Sequence, residues 1–351
     1  MLLVRNVQII SELANINPER ETLLTIGVFD GVHLGHQHLV RKLIQRASKG
    51  NLISGVVTFN CHPRAVLSPQ AKLARLTTLE ERISLLRKLG VERVVPLTFT
   101  AELATLSARE FVVCLKQYLR MRGLVIGPNF ALGRGREGNA AALQSLGQEL
   151  DFTVEVVKPL IIEGSLVSST AVREALARGE MRATAKLLGR YFSLSGLVVG
   201  GVARGQVLGF PTANIQVDSE QALPDDGVYA TLGHVGDKVY QSVTNIGIKP
   251  TFGESERTIE VHLLDFAGDL YGRKLTIELV ERLRGEMKFA TPEKLVAQIG
   301  KDVERARAIL EQGADKQGSA EWRSPSAGGL GVSPSLKIPP RLGDRGGLKR
   351  D

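Results

Sequence analysis

The sequence is poor in cysteine and has no long apolar run. Its two cysteines, Cys61 and Cys114, are too few for a disulfide framework or a cysteine metal cluster. No stretch of about 18 apolar residues occurs, so no helix is expected to span a membrane. No basic segment with an apolar core and a cleavage site follows Met1. These absences predict a protein of the reducing cytoplasm.

The net charge of +8 is too dispersed to indicate a nucleic-acid surface. From Ala314 to Asp351 there are seven Lys or Arg against four Asp or Glu, so this segment holds three of the eight excess positive charges. The rest of the chain has no basic stripe interleaved with aromatic residues, which make up only 5% of the sequence. A mild basic bias suits polyphosphate ligands instead.

The first half of the chain alternates apolar runs with helical patterns. The runs are Leu23–Val28, Leu52–Phe59, Val91–Leu97, Leu124–Ile126 and Phe152–Val157. Apolar residues at helical spacing follow Gly35. The pairs Thr78/Glu81 and Ser107/Glu110 are typical of capping boxes at two further helix starts. Strands joined by helices predict an α/β domain with a parallel, Rossmann-like sheet.

After Gly189 short β-rich runs follow one another without helices between them. They are Phe192–Val199, Val228–Val235, Lys238–Ile246, Thr258–Phe266 and Lys274–Leu283. They predict a small antiparallel barrel, followed by a last helix that Thr291 caps and Gly313 ends. The predicted domains are residues 1–186 and 187–313. The tail from 314 to 351 is rich in Gly, Ser and Pro and is expected to be disordered.

The segment TIGVFDGVHLGH, from Thr25 to His36, leaves a predicted strand and enters a predicted helix. Its glycines Gly27, Gly31 and Gly35 allow a phosphate to approach the backbone closely, and the helix start offers free amides. The segment therefore predicts a phosphate-binding turn.

Two histidines of this segment are candidate catalytic residues. His33 and His36 are three positions apart on the first helical turn, so both can face one ligand. Imidazoles placed there can donate hydrogen bonds to a triphosphate and stabilise charge that grows at the α-phosphorus. A metal site is the alternative, and the absence of an obvious third ligand disfavours it. His38 is interpreted as a helix-surface residue.

A second phosphate-binding candidate is VSSTAVREAL, which begins at Val167. Ser168, Ser169 and Thr170 stand at a predicted helix start, with Arg173 one turn further. This arrangement can hold a leaving pyrophosphate. A plain helix cap also explains the serines.

These segments resemble the nucleotidyltransferase superfamily, in which a histidine-x-glycine-histidine turn grips ATP, and GVFDGVHLGH is similar to bacterial FAD synthetases. The resemblance implies that the first domain adenylylates FMN, with Phe29 and Asp30 also at the ATP site. TFNCHPRAVLSP and VIGPNFALGRGREGN match further family segments, and the second implies flavin contacts from Asn129 and Phe130. Cys61 stands where the family usually has proline, and Asn129 stands where aspartate is common.

The second domain contains VVGGVARGQVLGFPTANI, whose glycines Gly201, Gly205 and Gly209 would keep a loop open to phosphates. It lacks the lysine of a Walker loop. Thr212 and Asn214 are oxygen donors two positions apart, which suits a Mg²⁺ ion that keeps several waters.

The string GFPTAN resembles riboflavin kinases, and GVYA, TNIGIKPTF, EVHLLDF and LRGEMKF continue the likeness. The resemblance implies riboflavin phosphorylation in this domain, with flavin contacts from Arg284 and Glu286. One departure is Gln206, where the family commonly has arginine.

Glu260 is the candidate base of this domain. Residues from Thr258 alternate, so that Ile259 and Val261 face one side and Glu260 and His262 face the other. A strand glutamate is usually a solvated surface residue. Its place in EVHLLDF favours a base that takes the proton of the ribityl hydroxyl. His262 is interpreted as structural.

The leading hypothesis is a bifunctional riboflavin kinase and FAD synthetase that uses ATP with Mg²⁺ on riboflavin and FMN. The departures at Cys61, Asn129 and Gln206 would also fit a chain with kinase activity alone. A non-enzymatic flavin or ATP sensor is the third hypothesis. Neither nucleic acid nor a membrane is an expected partner, and the chain is expected to be a monomer or a weak homo-oligomer.

Overall fold

The computed structural model of the protein describes residues 7–68, 70, 73–200, 209–250 and 255–319. The predicted loop residues Gly201 and Gly205, the departure at Gln206, and residues 320–351 of the predicted tail lie outside these ranges. Residues up to Glu311 belong to one unit that holds both the sheet and the barrel described below. The domain boundary at residue 186 stays a prediction.

The first part of the chain forms a five-stranded parallel sheet flanked by helices. The strands of this part of the chain, inside and outside the sheet, are β1 (Thr22–Ile26), β2 (Ile53–Phe59), β3 (Arg93–Leu97), β4 (Met121–Ile126), β5 (Ala131–Leu132), β6 (Gly138–Asn139), β7 (Thr153–Val156), β8 (Ile161–Ile162) and β9 (Ser165–Leu166). Its helices are α1 (Val7–Ala14), α2 (Leu34–Lys49), α3 (Pro63–Leu67), α4 (Leu79–Lys88), α5 (Ala101–Thr105), α6 (Ala108–Leu119), α7 (Ala140–Leu150), α8 (Ser169–Ala177) and α9 (Met181–Leu188). The sheet has the order β3-β2-β1-β4-β7, and β5/β6 and β8/β9 form separate two-stranded pairs.

Both faces of the parallel sheet are covered. Every residue of β1 and β2 is buried, which explains why these strands appear as predominantly apolar runs. Leu24 and Ile26 belong to a core cluster with residues of α1, α6 and α7. Leu23 belongs to a second cluster with residues of α2 and α4. The predicted parallel α/β architecture is therefore confirmed.

The two predicted capping boxes differ in outcome. At α6 the box is complete, because the Ser107 side chain accepts the Glu110 N–H while the Glu110 carboxylate accepts the Ser107 N–H at 2.8 Å. At α4 the Thr78 side chain accepts the Glu81 N–H at 3.2 Å. The Glu81 carboxylate instead accepts a hydrogen bond from Ser193 at 2.8 Å. The sequence thus predicted Thr78 correctly as the capping residue of α4, but it did not predict that the Glu81 carboxylate bonds to Ser193.

The second part of the chain is a closed antiparallel barrel. Its strands are β10 (Phe192–Val199), β11 (Ala213–Gln216), β12 (Gly227–Val235), β13 (Lys238–Pro250), β14 (Ser255–Leu263) and β15 (Lys274–Arg284), in the order β10-β11-β14-β13-β12-β15. The interior is apolar: Ile259, Val261 and Leu263 of β14 lie in its core cluster. The predicted alternation along β14 is confirmed, and Glu260 therefore points outward.

The last helix, α10 (Pro292–Ser319), packs on the outer face of the barrel. Ala306 and Leu310 of this helix share a core cluster with outward-facing residues such as Val228 and Val243. The predicted end at Gly313 is wrong, because the helix continues to Ser319. A glycine inside a helix costs only about 1 kcal/mol relative to alanine, so Gly313 alone does not end the helix.

Within the described ranges, none of the helices combines the length and the apolar character that a bilayer crossing needs.

Candidate active sites

The first candidate site lies where the strand order of the sheet reverses. β1 and β4 are neighbours at the centre of the order β3-β2-β1-β4-β7, and such a switch point leaves a crevice at the carboxyl ends of the strands. The motif turn that begins at Gly27 follows β1, and Asn129 and Phe130 follow β4. The structure therefore brings the predicted ATP and flavin residues to one edge of the sheet.

The turn after β1 has an unusual backbone conformation. Phe29, Gly31 and Val32 have positive φ angles of 53°, 80° and 40°. Glycine adopts such angles freely, whereas a β-branched valine is an outlier whose cost is about 1–3 kcal/mol. Surrounding groups hold the turn: the Gly31 N–H donates to Thr77 Oγ1 at 3.0 Å, and the Val32 carbonyl accepts from Gln37 Nε2 at 3.0 Å.

His33 and His36 lie together at the start of α2. Their rings stack with centroids 3.6 Å apart and planes 19° apart, and buried Phe29 meets the His36 ring edge-on at 5.1 Å. His33 Nδ1 accepts the His36 backbone N–H at 3.3 Å, so the proton of a neutral His33 ring is assigned to Nε2. His36 Nδ1 is buried and has no hydrogen-bond partner among the described residues. His33 Nε2 and the His36 ring are thus available to a ligand.

Both imidazoles are neutral at neutral pH. Burial lowers the pKa of His33 to about 4, against a smaller opposing effect of the Asp30 carboxylate. Burial also lowers the pKa of His36, and the charge of Arg82 lowers it further. Neutral rings can donate an N–H to a ligand but carry no positive charge, so the predicted triphosphate contact would need its positive charge from other groups.

The low pKa of His33 predicts that acid destabilises the fold. The unfolded chain binds this proton with a pKa near 6.5 and the folded chain with a pKa of about 4. The contribution of the neutral His33 ring to the free energy of unfolding is therefore fully present above pH 6.5. It is lost as the pH falls towards 4, by at most about 3 kcal/mol. His33→Asn keeps a good helix-capping side chain but cannot titrate. Urea unfolding of both proteins from pH 7 to pH 4 should show a shallower decline for His33→Asn, and parallel curves would contradict the assignment.

Asp30 is buried and is fully engaged by protein groups. Its carboxylate accepts the backbone N–H groups of Leu76 at 3.0 Å and Thr77 at 3.1 Å, and it forms an ion pair with Arg173. Arg173 Nε also donates to the Ala74 carbonyl at 2.8 Å. Asp30 thus positions Arg173 beside the motif turn, whereas a direct contact between Asp30 and ATP stays a prediction.

Asp30→Asn is expected to lower the free energy of unfolding by about 3 kcal/mol, because it leaves a largely buried Arg173 without its counter-charge. Urea unfolding measures this loss. The matched control is Asp151→Asn, which removes an exposed carboxylate from Arg122 and should cost less than about 1 kcal/mol. Equal losses in the two variants would contradict the role given to Asp30.

The start of α8 adjoins the motif turn. The Ser168 side chain caps the helix by accepting a backbone N–H at 3.2 Å, so the capping interpretation is confirmed for this residue. Ser169 Oγ donates to the Asp30 carbonyl at 3.0 Å. Thr170 is exposed on the first turn. The helix start and Arg173 therefore lie next to the motif, and the pyrophosphate interpretation stays a prediction.

Two glycines of the motif have little space around them, and a Cβ on Gly27 would lie 3.2 Å from the Phe29 ring. The Gly27 N–H continues the sheet by donating to the Val57 carbonyl at 3.0 Å. A Cβ on Gly35 would lie 3.0 Å from the Val167 carbonyl and 3.1 Å from the His33 ring. A larger residue at Gly35 would push α2 away from the segment that leads to α8.

The other predicted residues of this edge lie in loops. Asn129 is exposed and its carbonyl accepts from Arg136 at 3.2 Å, while Phe130 packs against the core of the sheet. Cys61 Sγ donates to the Phe99 carbonyl at 3.7 Å, and burial raises the pKa of its thiol. The thiol therefore stays protonated, which fits a tolerated substitution rather than a nucleophile.

The second candidate site is a row of polar side chains on the outer face of the barrel. Asn214 of β11 pairs directly with Glu260 of β14, which pairs with Asn245 of β13. Direct partners on neighbouring strands point to the same face with Cβ atoms about 5 Å apart. The carboxylate of Glu260 therefore lies between two amide side chains.

The strand positions on this outer face continue from Asn245 through Val228 to Arg284, next to α10. Asn245 pairs with Val228, and Val228 pairs with Arg284. Arg284 Nε donates to Asp302 Oδ2 of α10 at 2.9 Å, and its guanidinium lies 5.7 Å from the centre of the Phe289 ring. The predicted flavin residue Arg284 is therefore fixed at the end of the row where the last helix docks.

Glu286 lies beside the strand that carries Asn245. A Cβ on Gly247 of β13 would collide with the Glu286 carboxylate, so only glycine allows this approach. The structure thus brings Glu286 to the neighbourhood of the predicted flavin site, and its contact with flavin stays a prediction.

The predicted metal ligands Thr212 and Asn214 lie at the β11 end of this row. Thr212 immediately precedes β11, Asn214 belongs to it, and Gly209 has a φ of 83° in the preceding turn. Among the described residues, no three His, Cys, Asp or Glu side chains are grouped to hold a metal ion. The hydroxyl and amide oxygens of Thr212 and Asn214 are of the ligand type that Mg²⁺ takes together with water and phosphate oxygens, and a metal at this place stays a prediction.

Sequence reasoning missed several residues of the two sites. Asn245 lies in TNIGIKPTF and Asp302 lies in the last helix, but their proximity to Glu260 and Arg284 depends on strand register and helix docking. Gln37 follows the motif by one residue and its role at Val32 is visible only in the folded turn.

Family models match both parts of the chain. Residues 15–171 match the model described as FAD synthetase, and residues 188–310 match the model described as riboflavin kinase. The first match contains the histidine turn at the sheet edge, and the second contains the Glu260 row. The chain thus combines an α/β segment of the FAD synthetase class with a barrel of the riboflavin kinase class.

Relatives with both segments in one chain cover most of the sequence. The bifunctional riboflavin kinase/FMN adenylyltransferase of Escherichia coli strain K12 is 39% identical over 88% of this chain and 98% of its own length. The enzyme of the same description from Pseudomonas fluorescens is 40% identical over 88% and 100%. The chain belongs to the bifunctional riboflavin kinase/FMN adenylyltransferase family.

A solved structure shares the fold. A crystal structure from Streptococcus pneumoniae, described as a macrolide-efflux protein, is 32% identical with a TM-score of 0.77, over 83% of this chain and 95% of that one. The description as a macrolide-efflux protein applies to the Streptococcus pneumoniae protein.

Proposed function

We propose that the protein makes FMN from riboflavin at the barrel and FAD from FMN at the sheet, with ATP as the second substrate of each step. The observation that carries this proposal is the pairing of Glu260 with Asn214 and Asn245 in a chain that also stacks His33 on His36 at a sheet switch point. Each arrangement suits one of the two displacements.

In the barrel, we assign the role of base to Glu260. Its carboxylate takes the proton of the ribityl hydroxyl as that oxygen attacks the γ-phosphorus of ATP, and ADP leaves. Asn214 and Thr212 would hold Mg²⁺, which neutralises phosphate charge when bound. Arg284, fixed by Asp302, and Glu286 border the flavin.

At the sheet edge, a phosphate oxygen of FMN attacks the α-phosphorus of ATP and pyrophosphate leaves. His33 and His36 donate N–H groups to the oxygens whose charge grows during attack. The start of α8, with Arg173, holds the departing pyrophosphate. No covalent intermediate with the protein is needed, because positioning and electrostatics suffice for a direct displacement.

Purified protein incubated with riboflavin, ATP and Mg²⁺ tests the proposal, with chromatography to separate FMN from FAD. FMN should accumulate first and FAD should follow. FMN without FAD, also when FMN is supplied, would select the kinase-only hypothesis. Neither product would contradict enzymatic function, and retained flavin binding would then favour a sensor. EDTA should stop both reactions, and excess Mg²⁺ should restore them.

We also place these reactions in the cytoplasm. Cys61 and Cys114 are both unpaired thiols, as expected in a reducing compartment.

A further inference from the structure

A single arginine connects the histidine turn to the barrel. Arg190 lies between the end of α9 and the start of β10, outside both candidate sites. We propose that Arg190 is a positioning residue for adenylyl transfer, which holds the motif turn in its reactive conformation. The inference rests on the proposed function of the sheet site.

The contact of Arg190 with the turn is direct. Its Nη2 donates to the Gly31 carbonyl at 2.9 Å, and the side chain is only 22% exposed. Its Nη1 is buried and has no hydrogen-bond partner among the described residues. The bond to Gly31 is therefore the polar contact through which this arginine acts on the turn.

The turn needs such support because its backbone is strained. Gly31 and Val32 both have positive φ, and strained residues persist only when the surrounding structure fixes them. Thr77 holds the Gly31 N–H, Gln37 holds the Val32 carbonyl, and Arg190 holds the Gly31 carbonyl. Arg190 is the only one of these three groups that comes from beyond α9.

Glu81 approaches the same guanidinium nitrogen of Arg190 that bonds Gly31, and Ser193 orients Glu81. Glu81 Oε1 lies 4.0 Å from Arg190 Nη2 and accepts from Ser193 Oγ of β10 at 2.8 Å. This pairing explains why the Glu81 carboxylate does not complete the predicted capping box. The first barrel strand thus helps to orient the arginine that supports the sheet site.

The same arginine affects the electrostatics of the turn. His33 follows Gly31 by two residues, and the positive charge of Arg190 lowers the pKa of His33 in addition to burial. Loss of the Gly31 bond would let the turn relax and move His33 Nε2 away from a bound triphosphate. A displacement of about 1 Å at a reacting centre costs on the order of 100-fold in rate.

Arg190→Ala, Arg190→Lys and Arg182→Ala test this role. Arg182 is an exposed arginine of α9 that also contacts the barrel, through Glu281 at 2.6 Å, without touching the motif turn. Kinetics of FAD formation from FMN and ATP give kcat and KM. FMN formation by the same preparation reports that the chain is folded.

Arg190→Ala should lower kcat for FAD formation by about 10–100-fold with little change in KM, because the lost support acts on groups used in the transition state. FMN formation should stay at the wild-type rate. Arg190→Lys should recover most of the activity, since one N–H donor is enough for the Gly31 carbonyl. Arg182→Ala should behave as wild type.

The outcomes separate this inference from the proposed function. If wild-type protein forms FAD and Arg190→Ala retains its kcat, the positioning role is wrong and the proposed function stands. The role is also wrong if Arg182→Ala loses as much activity as Arg190→Ala, or if both reactions fall together. Absence of FAD from the wild-type protein would overturn the proposed function and this inference with it.

Discussion

Glu260→Gln is expected to lower the rate of FMN formation by about 10³-fold, within the range found when a general base is removed. Glutamine keeps the size of the side chain between Asn214 and Asn245, but it cannot take the proton of the ribityl hydroxyl. FAD formation from supplied FMN should stay at the wild-type rate, because it uses the edge of the sheet. Separate assays with riboflavin and with FMN measure the two effects.

The matched control for this variant is Glu278→Gln. Glu278 is another partly exposed strand glutamate of the barrel, and it lies 3.4 Å from His234 instead of in the Asn214–Asn245 row. Its replacement should leave both activities unchanged. A loss of less than tenfold in Glu260→Gln, or a loss of both activities in a folded protein, would contradict the assignment of the base.

His36→Ala is expected to have the opposite selectivity. Removing one donor that stabilises developing charge costs about 10²–10³-fold, so FAD formation should fall by that factor while FMN formation continues. Removal of the ring breaks no hydrogen bond of His36 Nδ1 to the described residues, and continued FMN formation reports that the variant is folded. Steady-state rates with supplied FMN measure the loss.

The control on the same helix is His38→Ala. His38 lies two residues further along α2, outside the stack of His33 and His36. Near wild-type FAD formation is expected of this variant. If His38→Ala were as impaired as His36→Ala, the defect would belong to the helix and not to the imidazole.

The architecture of the sheet was predictable because buried parallel strands have a distinctive pattern. Leu23–Val28 and Leu52–Phe59 are predominantly apolar runs bounded by turn residues, and both correspond to strands buried on both faces. By contrast, β11 (Ala213–Gln216) is only four residues long and begins at the end of a glycine-rich motif, two residues after Pro211. Its strand pairing comes from β10 and β14, which are distant in the sequence.

The candidate sites were predictable at the level of motifs, and their partners were not. His33 and His36 are close in the sequence, so helical spacing alone predicts that they share a face. Asp30 finds its partners at Leu76, Thr77 and Arg173, which only the folded chain brings near. Local patterns therefore identify which candidate groups lie together, whereas long-range contacts determine what holds those groups in place.

The row of Asn214, Glu260 and Asn245 lies on the outside of a barrel whose interior is filled by other residues, such as Ile259 and Val261. A substitution in the row consequently leaves the interior packing of the barrel untouched. If the row is the kinase site as proposed, descendants of this chain can lose or alter that chemistry by point mutation while the barrel interior stays intact. Evolution is therefore free to convert such a barrel into a binding module while the neighbouring sheet keeps its own reaction.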